Sequence, residues 1–181
     1  MSASEALRPP AHPLSHGTST AYFGNAEFHR CFCDLLDAAE REVVDFVIPE
    51  QRPDEHDRFI LEAYGNAARR GIRCRTLISP EHLHLVQSTW DPKFRMRSFL
   101  AKFSHIRLIE RVSGPFTVVD RKRVLLNLAD PRDPAEYTTS VVVDDERMAE
   151  ELIARFDALW AEAAGAQEGL VKRWEEQRER H

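Results

Sequence analysis

Short apolar runs alternate with longer amphipathic segments along much of this sequence, and few folds accommodate that order. The runs "EVVDFVIP" (42–49) and "RCRTLIS" (73–79) are typical of buried strands, and the residues between them, roughly 55–70, have the spacing of an amphipathic helix. After a helical or mixed segment at 80–103, "HIRLIE" (105–110) predicts a third strand. A strand–helix–strand–helix–strand order predicts parallel strands joined by helical crossovers.

The second half predicts a strand meander followed by a helix. "FTVVD" and "VLLNL" form a hairpin-like pair with Arg121, Lys122 and Arg123 at the bend, and "TTSVVVDD" is a further strand. A helix begins after Asp144 or Asp145, and another, capped by Asn25, precedes the first strand. We therefore predict an α/β fold with a mixed sheet and helices on both faces.

Three segments are expected along the chain. Residues 1–21 are rich in proline and small polar residues and predict a flexible N-terminal segment, and 22–164 form the α/β domain. Residues 165–181 predict a short separate helix whose apolar edge consists of Leu170, Val171 and Trp174. Such an edge docks either on its own domain or on a partner.

Composition favours a cytoplasmic protein. No stretch approaches the roughly 20 apolar residues that span a bilayer, and no secretory signal begins the sequence. Cys31, Cys33 and Cys74 are an odd set that argues against a disulfide framework, so a reducing compartment is expected.

No metal site and no cofactor are expected. His82 and His84 follow the second strand, but an i, i+2 spacing on a helix points the two imidazoles apart, and no Cys or carboxylate completes a ligand set. Cys31 and Cys33 diverge in the same way on the first helix. Solvent-exposed histidines and small core residues explain these positions.

The net charge of −5 conceals a basic region. Between Lys93 and Arg123, nine basic residues and two acidic ones give a local charge of +7. One interpretation is an anion-binding face, and the other is ordinary solvation of exposed helices and strands.

Taken together, "LLDAAEREVVDFVIP", "AARRGIRCRTLIS", "HIRLIERVSGPFTVVDRKRVLLNL" and "SVVVDDERMAEELIARFDALWAEA" resemble the phospholipase D-like sensor domain of TrmB-type transcriptional regulators. The sequence is particularly similar to the version that precedes LuxR-type DNA-binding domains in actinobacteria. The resemblance implies a single phospholipase D-like half, a homodimer, and a role in transcriptional regulation.

The catalytic motif of that superfamily, H-x-K-x4-D, is degenerate here. When Asp120 takes the place of the motif aspartate, Ser113 stands where the nucleophilic histidine belongs and Pro115 where the phosphate-binding lysine belongs. Serine without an adjacent base and proline without a charge supply neither function. The sequence therefore predicts a protein that is not a phosphodiesterase.

The DNA-binding regions of the relatives are not recognisable either. About 20 residues precede Tyr22 and 17 follow Ala164, too few for a winged helix or a helix-turn-helix, so direct DNA contact is not expected. The sequence is either a free-standing sensor domain or a piece of a longer regulator.

The leading prediction is a non-catalytic sensor domain that binds a small ligand, with an anion as one option, or a regulatory protein. The ligand is expected beyond the strand ends that follow Ile48, Ile78 and Val119, with Arg107 as an anion clamp. The predicted contacts are Glu50, Ser79, His82, Arg107, Ser113 and Arg123.

Two other classes stay open. One is an enzyme with unorthodox phosphoryl or transfer chemistry that uses His84 or His105. The other is an interaction module whose basic region binds nucleic acid or an acidic protein, although few aromatic residues are interleaved with its basic ones.

Overall fold

A computed structural model of the chain describes residues 18–47, 57–90, 93–103, 105–110, 114–129 and 137–178. Within these ranges the chain forms seven strands and five helices. In chain order they are β1 (Ser19–Phe23), α1 (Asn25–Asp37), β2 (Glu42–Phe46), α2 (Asp57–Arg69), β3 (Arg73–Ile78), α3 (Pro80–Trp90), α4 (Met96–Lys102), β4 (Ile106–Leu108), β5 (Phe116–Val119), β6 (Arg123–Ala129), β7 (Tyr137–Asp144) and α5 (Glu146–Arg178).

All seven strands belong to one mixed sheet, in the order β1-β7-β6-β5-β2-β3-β4. β2, β3 and β4 are parallel, as expected of strands joined by helical crossovers. The remaining neighbours pair antiparallel, including the central pair of β2 and β5. The predicted α/β class with a mixed sheet is confirmed.

Alternate residues of each strand point to opposite sides of the sheet. On β2, Val43 packs against α1 and α2, whereas Val44 and Phe46 pack in the cluster that contains the first half of α5. We refer to these sides as the α1–α2 face and the α5 face. Asp45 lies on the α1–α2 face, because its side chain accepts a hydrogen bond from Tyr64 of α2.

β1 was not expected from the sequence. It begins at Ser19, inside the segment predicted to be flexible, and pairs antiparallel with β7 from Ser19–Val143 to Phe23–Thr139. Its side chains are mostly exposed, so the strand forms through backbone pairing and leaves little hydrophobic pattern to detect.

The start of α1 also differs from the prediction. Gly24, with a φ of 78°, occupies the N-cap, and Asn25 is the first helical residue. Glu27 accepts a hydrogen bond from the Phe23 N–H at 2.8 Å, so an acid in the first turn satisfies a backbone donor at this helix end.

The sequence predicts that the C-terminal segment is a separate helix, but in the structure it is not. α5 runs without interruption for 33 residues through Gly165 and Gly169. Its first half buries Ile153 and Phe156 on the sheet, and its second half buries residues 170 and 171 beside α3 and α4. Packing along the whole helix outweighs the weak helix propensity of the two glycines.

Candidate functional site

The bend between β5 and β6 is a tight hairpin turn held by Asp120. Asp120 and Arg121 both have positive φ, 53° and 59°, and the Lys122 N–H donates to Val119 O at 3.1 Å. The Asp120 carboxylate accepts the backbone N–H groups of residues 40, 41 and 42 at 2.9, 2.8 and 3.0 Å. Burial raises the pKa of Asp120, but these backbone hydrogen bonds outweigh it and the net pKa is lowered.

Two basic residues of this bend, Arg121 and Arg123, form ion pairs. Glu42 is buried and pairs with Arg73 and, at 3.3 Å, with Arg121. Burial raises the pKa of Glu42, but hydrogen bonds and charge from the two arginines outweigh it, so the net pKa is lowered. Arg123 Nε lies 3.9 Å from Asp144 Oδ1. The bend is therefore a turn stabilised by local charge pairs.

The sequence predicts that the strand ends that follow Ile48, Ile78 and Val119 lie together at one ligand site. This prediction is wrong for Val119. β5 is antiparallel to β2, with Val43 opposite Val119 and Phe46 opposite Phe116. The end of β5 thus lies beside the beginning of β2, three residues or roughly 10 Å along the strand from the end of β2 at about 3.3 Å per residue. Arg123 lies at that far edge of the sheet.

A cavity of about 630 Å³ opens on the α1–α2 face. It lies among α1, α2, α3, α4 and the central strands, and its volume is within the usual range of small-molecule sites. Its walls are mainly apolar and include Phe28, Phe32, Ile60, Phe99, Phe103 and Ile106.

Asp45 is the acidic residue among the described residues that line this cavity. Its side chain is buried, with Tyr64 Oη donating to Oδ2 at 2.5 Å and Thr117 Oγ1 donating to Oδ1 at 2.8 Å. Burial raises the pKa of Asp45 to about 6, although both hydroxyl hydrogen bonds act to lower it. A carboxyl group in an apolar cavity with a pKa near neutrality is a common feature of functional sites.

A second polar pair lies on the same face of the sheet. Asn127 of β6 lines the cavity and is paired in register with Ser140 of β7. Among the described residues, neither Asn127 Oδ1 nor Ser140 Oγ has a hydrogen-bond partner, although both atoms are buried. Buried polar atoms of this kind are usually satisfied by water or a ligand.

Of the residues predicted to contact a ligand, His82 lines the cavity and Ser79 lies three residues before His82 in sequence. Both residues are buried, and the backbone N–H of His82 donates to Ser79 Oγ at 3.2 Å in the first turn of α3. His105 also lines the cavity, and burial lowers its pKa. Glu50 and Ser113 lie outside the described residues.

Arg107 lies away from this group, on the α5 face. Its guanidinium stacks over the Trp160 ring at 4.3 Å from the centroid and donates to Trp160 O at 2.6 Å. Arg107 thus holds α5 against β4, and the structure does not bring it together with His82 or Arg123. Ligand binding by the six predicted residues stays a prediction.

The residue that carries most of the site's chemistry, Asp45, was missed by sequence reasoning. Its signal is a single acid inside the apolar run "VVDFV", at an inward position two residues after Val43. An acid buried at such a position needs partners, and those partners, Tyr64 and Thr117, are distant in sequence.

Two features are absent from the part of the chain that the structure describes. No group of three or more His, Cys, Asp or Glu side chains is arranged to hold a metal ion. No helix in these ranges is both long and apolar enough to cross a bilayer.

Comparison with protein families gives one match. A family model described as "Domain of unknown function (DUF7436)" matches residues 18–165. No curated protein matches the chain significantly.

Solved structures show a phospholipase D-like fold. The archaeal chromatin protein TrmBL2 has a TM-score of 0.61 and 16% identity over 85% of this chain. That match covers 56% of the TrmBL2 chain, so this chain spans little more than half of its length. NucT from Helicobacter pylori has a TM-score of 0.58 and 13% identity, over 81% of this chain and 97% of the NucT chain. The phospholipase D family member Nuc from Salmonella typhimurium has a TM-score of 0.54 and 14% identity, over 81% of this chain and 95% of the Nuc chain.

Proposed function

The chain belongs to the family described as "Domain of unknown function (DUF7436)". From that premise we propose that it is a regulatory domain of phospholipase D-like fold, and that it binds a small organic molecule in the cavity beside Asp45. The observation that carries this proposal is the combination of a large apolar cavity with a buried carboxyl group. Ligand binding would shift the domain between conformations that a partner distinguishes.

The cavity has the anatomy of a ligand site. Aromatic and aliphatic side chains form most of its wall, and a few polar groups, Asp45, Thr117 and Asn127, lie on adjacent central strands where they can orient a ligand. An unfilled cavity of this size lowers stability, since its lining forgoes packing contacts. Its presence in a domain with three clusters of buried hydrophobic residues supports a functional role.

Phosphodiester hydrolysis is not part of the proposal. Pro115, at the position of the superfamily lysine, lines the cavity and offers no cation. Asp120, at the position of the aspartate, is bound to backbone amides at the far edge of the sheet. Burial raises the pKa of Cys74 to about 11, which disfavours the thiolate that a cysteine nucleophile requires.

A nucleic-acid-binding role has less support. The arginines of the basic region are divided between different parts of the molecule: Arg97 pairs with Glu168 and Glu175 of α5, whereas Arg121 pairs with Glu42 at the sheet edge. Acidic partners reduce the field that would attract phosphate groups. The likeness to TrmBL2, at 16% identity, concerns the fold.

A substitution at Gly65 tests the cavity. Gly65 lines it from α2, and apart from the local helix backbone no atom of the described residues lies within 4 Å of the position that a Cβ would occupy, so Gly65→Trp adds bulk without a clash at its Cβ. Gly165→Trp is the matched control on α5, where the Cβ position is equally open. Replacing a helical glycine improves helix propensity by roughly 0.5 kcal/mol, so neither variant should lose stability.

The experiment is a thermal-shift screen of a small-molecule library, followed by calorimetry of the hits. We expect hits that bind the wild type and Gly165→Trp and lose at least tenfold affinity for Gly65→Trp. A screen without saturable binding, or hits that bind Gly65→Trp equally well, would contradict the proposal.

The proposal also includes a homodimer and a link to transcriptional control through an associated DNA-binding domain, both suggested by the resemblance to TrmB-type regulators. Light scattering with and without a hit from the screen tests the first of these. A monomer under both conditions would remove the dimer from the proposal.

A further inference from the structure

We propose that the ligand of this cavity is an organic cation, an amine carried on an apolar body, whose ammonium group pairs with the carboxylate of Asp45. This inference rests on the proposed ligand-binding function of the cavity and specifies the class of ligand. It follows from the charge of the site, its walls and the hydrogen bonds that Asp45 already makes.

Asp45 is a buried carboxylate without a cationic partner among the described residues. The residue is only 5% exposed, and both hydrogen bonds of its carboxylate come from neutral hydroxyl groups, those of Tyr64 and Thr117. Each carboxylate oxygen accepts two or more hydrogen bonds when fully satisfied, so capacity remains on both. A buried charge is normally paired, and a cationic ligand would supply that pairing.

Three basic side chains near the cavity do not serve as a partner for Asp45. Arg73 lines the cavity, but its guanidinium pairs with Glu42. Arg75 pairs with Asp157 of α5 on the opposite face of the sheet. His105 lines the cavity, but burial lowers its pKa and favours its neutral form. None of these three therefore neutralises Asp45.

The walls favour a cation over an anion or a purely apolar molecule. Phe28, Phe32, Phe99 and Phe103 line the cavity, and aromatic faces attract ammonium groups. Asn127 adds a buried carbonyl oxygen that has no partner among the described residues and can accept from a ligand N–H. An anionic ligand would instead meet the charge of Asp45.

Three probes of matched shape separate these possibilities. They are the amine 2-(1-naphthyl)ethylamine, the alcohol 2-(1-naphthyl)ethanol and the carboxylate of 1-naphthylacetic acid. Each is titrated calorimetrically at pH 8, where Asp45 is ionised. We expect the amine to bind at least tenfold more tightly than the alcohol, and the carboxylate to bind most weakly. Asp45→Asn should weaken the amine at least tenfold and change the alcohol less than about threefold.

Two further variants guard against loss of the fold. Tyr64→Phe removes a hydrogen bond and keeps the carboxylate, so the preference for the amine should persist. Asp34→Asn changes an exposed acid of α1 and should alter none of the affinities. Circular dichroism of each variant confirms that it is folded before titration.

Equal or tighter binding of the alcohol or the carboxylate would overturn the inference, as would an amine affinity that survives Asp45→Asn. Absence of binding by all three probes would also overturn it. The cationic ligand and the proposed function can fail separately. A library hit that binds without a preference for charge and loses affinity for Gly65→Trp would refute the cationic ligand but would keep the cavity as the binding site.

Discussion

Tyr64 Oη lies 2.5 Å from Asp45 Oδ2, so a helix residue and a central strand residue 19 positions apart share one hydrogen bond beneath the cavity. This contact keeps the carboxyl group hydrogen-bonded in a buried position. Burial raises the pKa of Asp45 to about 6, from a value of 3.8 expected in the unfolded chain. The native state therefore binds a proton at Asp45 more tightly than the unfolded state does.

The first prediction concerns the stability of Asp45→Asn as a function of pH. Because the folded pKa is raised, the stability that Asp45 contributes is fully present below pH 4 and is lost as the pH rises through about 6. The variant, which has no proton to lose, should gain up to about 3 kcal/mol relative to the wild type between pH 4 and pH 7. Urea unfolding at several pH values measures this difference.

The neighbouring groups should not produce this profile. Tyr64 from α2 and Cys74 from β3 both have raised pKa values and stay protonated across this range. His105 and His82 line the same cavity and are present in both proteins, so their contribution largely cancels in the difference. A difference in unfolding free energy that stays constant from pH 4 to pH 7 would show that Asp45 titrates normally.

The fold was predictable where hydrophobic periodicity was strong. The buried strands around Val43 and Leu77 and the helical spacing of Phe28, Phe32 and Leu36 each carry their own signal. β1 carries none because its side chains are mostly exposed. The continuity of α5 across Gly165 depends on contacts of its two halves with different parts of the domain, which local sequence does not reveal.

The candidate site was less predictable because strand direction determines it. Whether Val119 lies near Ile78 or near Glu42 depends on whether β5 is parallel to β2, and the apolar pattern of "FTVV" is the same in both cases. The environment of Asp45 likewise depends on Tyr64 and Thr117, which only the folded chain brings together.

The second prediction concerns Asp120, which ties the β5–β6 turn to the start of β2. Asp120→Ala removes the acceptor of three backbone N–H groups and places alanine at a φ of 53°, so we expect a loss of about 2–3 kcal/mol, discounted for partial exposure. Asp120→Asn tolerates the same φ and keeps one oxygen, so it should lose about half as much. Chemical denaturation measures both.

The control for Asp120 is Asp34→Ala, which removes an exposed acid from the last turn of α1 and should change stability by less than about 0.5 kcal/mol. If Asp120→Ala were as mild as this control, the three backbone contacts would contribute little to the fold.

The third prediction tests whether the end of α5 is docked on its own domain. Trp174 packs in the cluster of α3 and α4, with its ring centroid 4.8 Å from that of His84. Trp174→Ala should reduce the unfolding free energy by about 2–3 kcal/mol, less than for a fully buried tryptophan because this side chain is half-buried. Thermal and urea unfolding of the variant provide the measurement.

Lys172→Ala is the matched control on the same turn of α5. It removes only an exposed i, i+4 pair with Glu176 and should change stability by less than about 0.5 kcal/mol. Similar effects of the two substitutions would mean that this end of the helix is held by something other than the Trp174 contact.

The last prediction separates the two roles considered for Arg107. If its guanidinium chiefly holds Trp160, Arg107→Lys should lower stability by about 1–2 kcal/mol and alter tryptophan fluorescence, because an ammonium group lacks the planar face that stacks over the indole at 4.3 Å. Arg123→Lys, at a guanidinium 3.9 Å from Asp144, should change stability by less than about 0.5 kcal/mol.

Sulfate, a probe for an anion clamp, should stabilise the wild type and Arg107→Lys equally. Sulfate stabilisation that disappears in Arg107→Lys would instead assign Arg107 the anion-binding role predicted from the sequence, since only a direct contact with the anion would make the effect depend on that side chain.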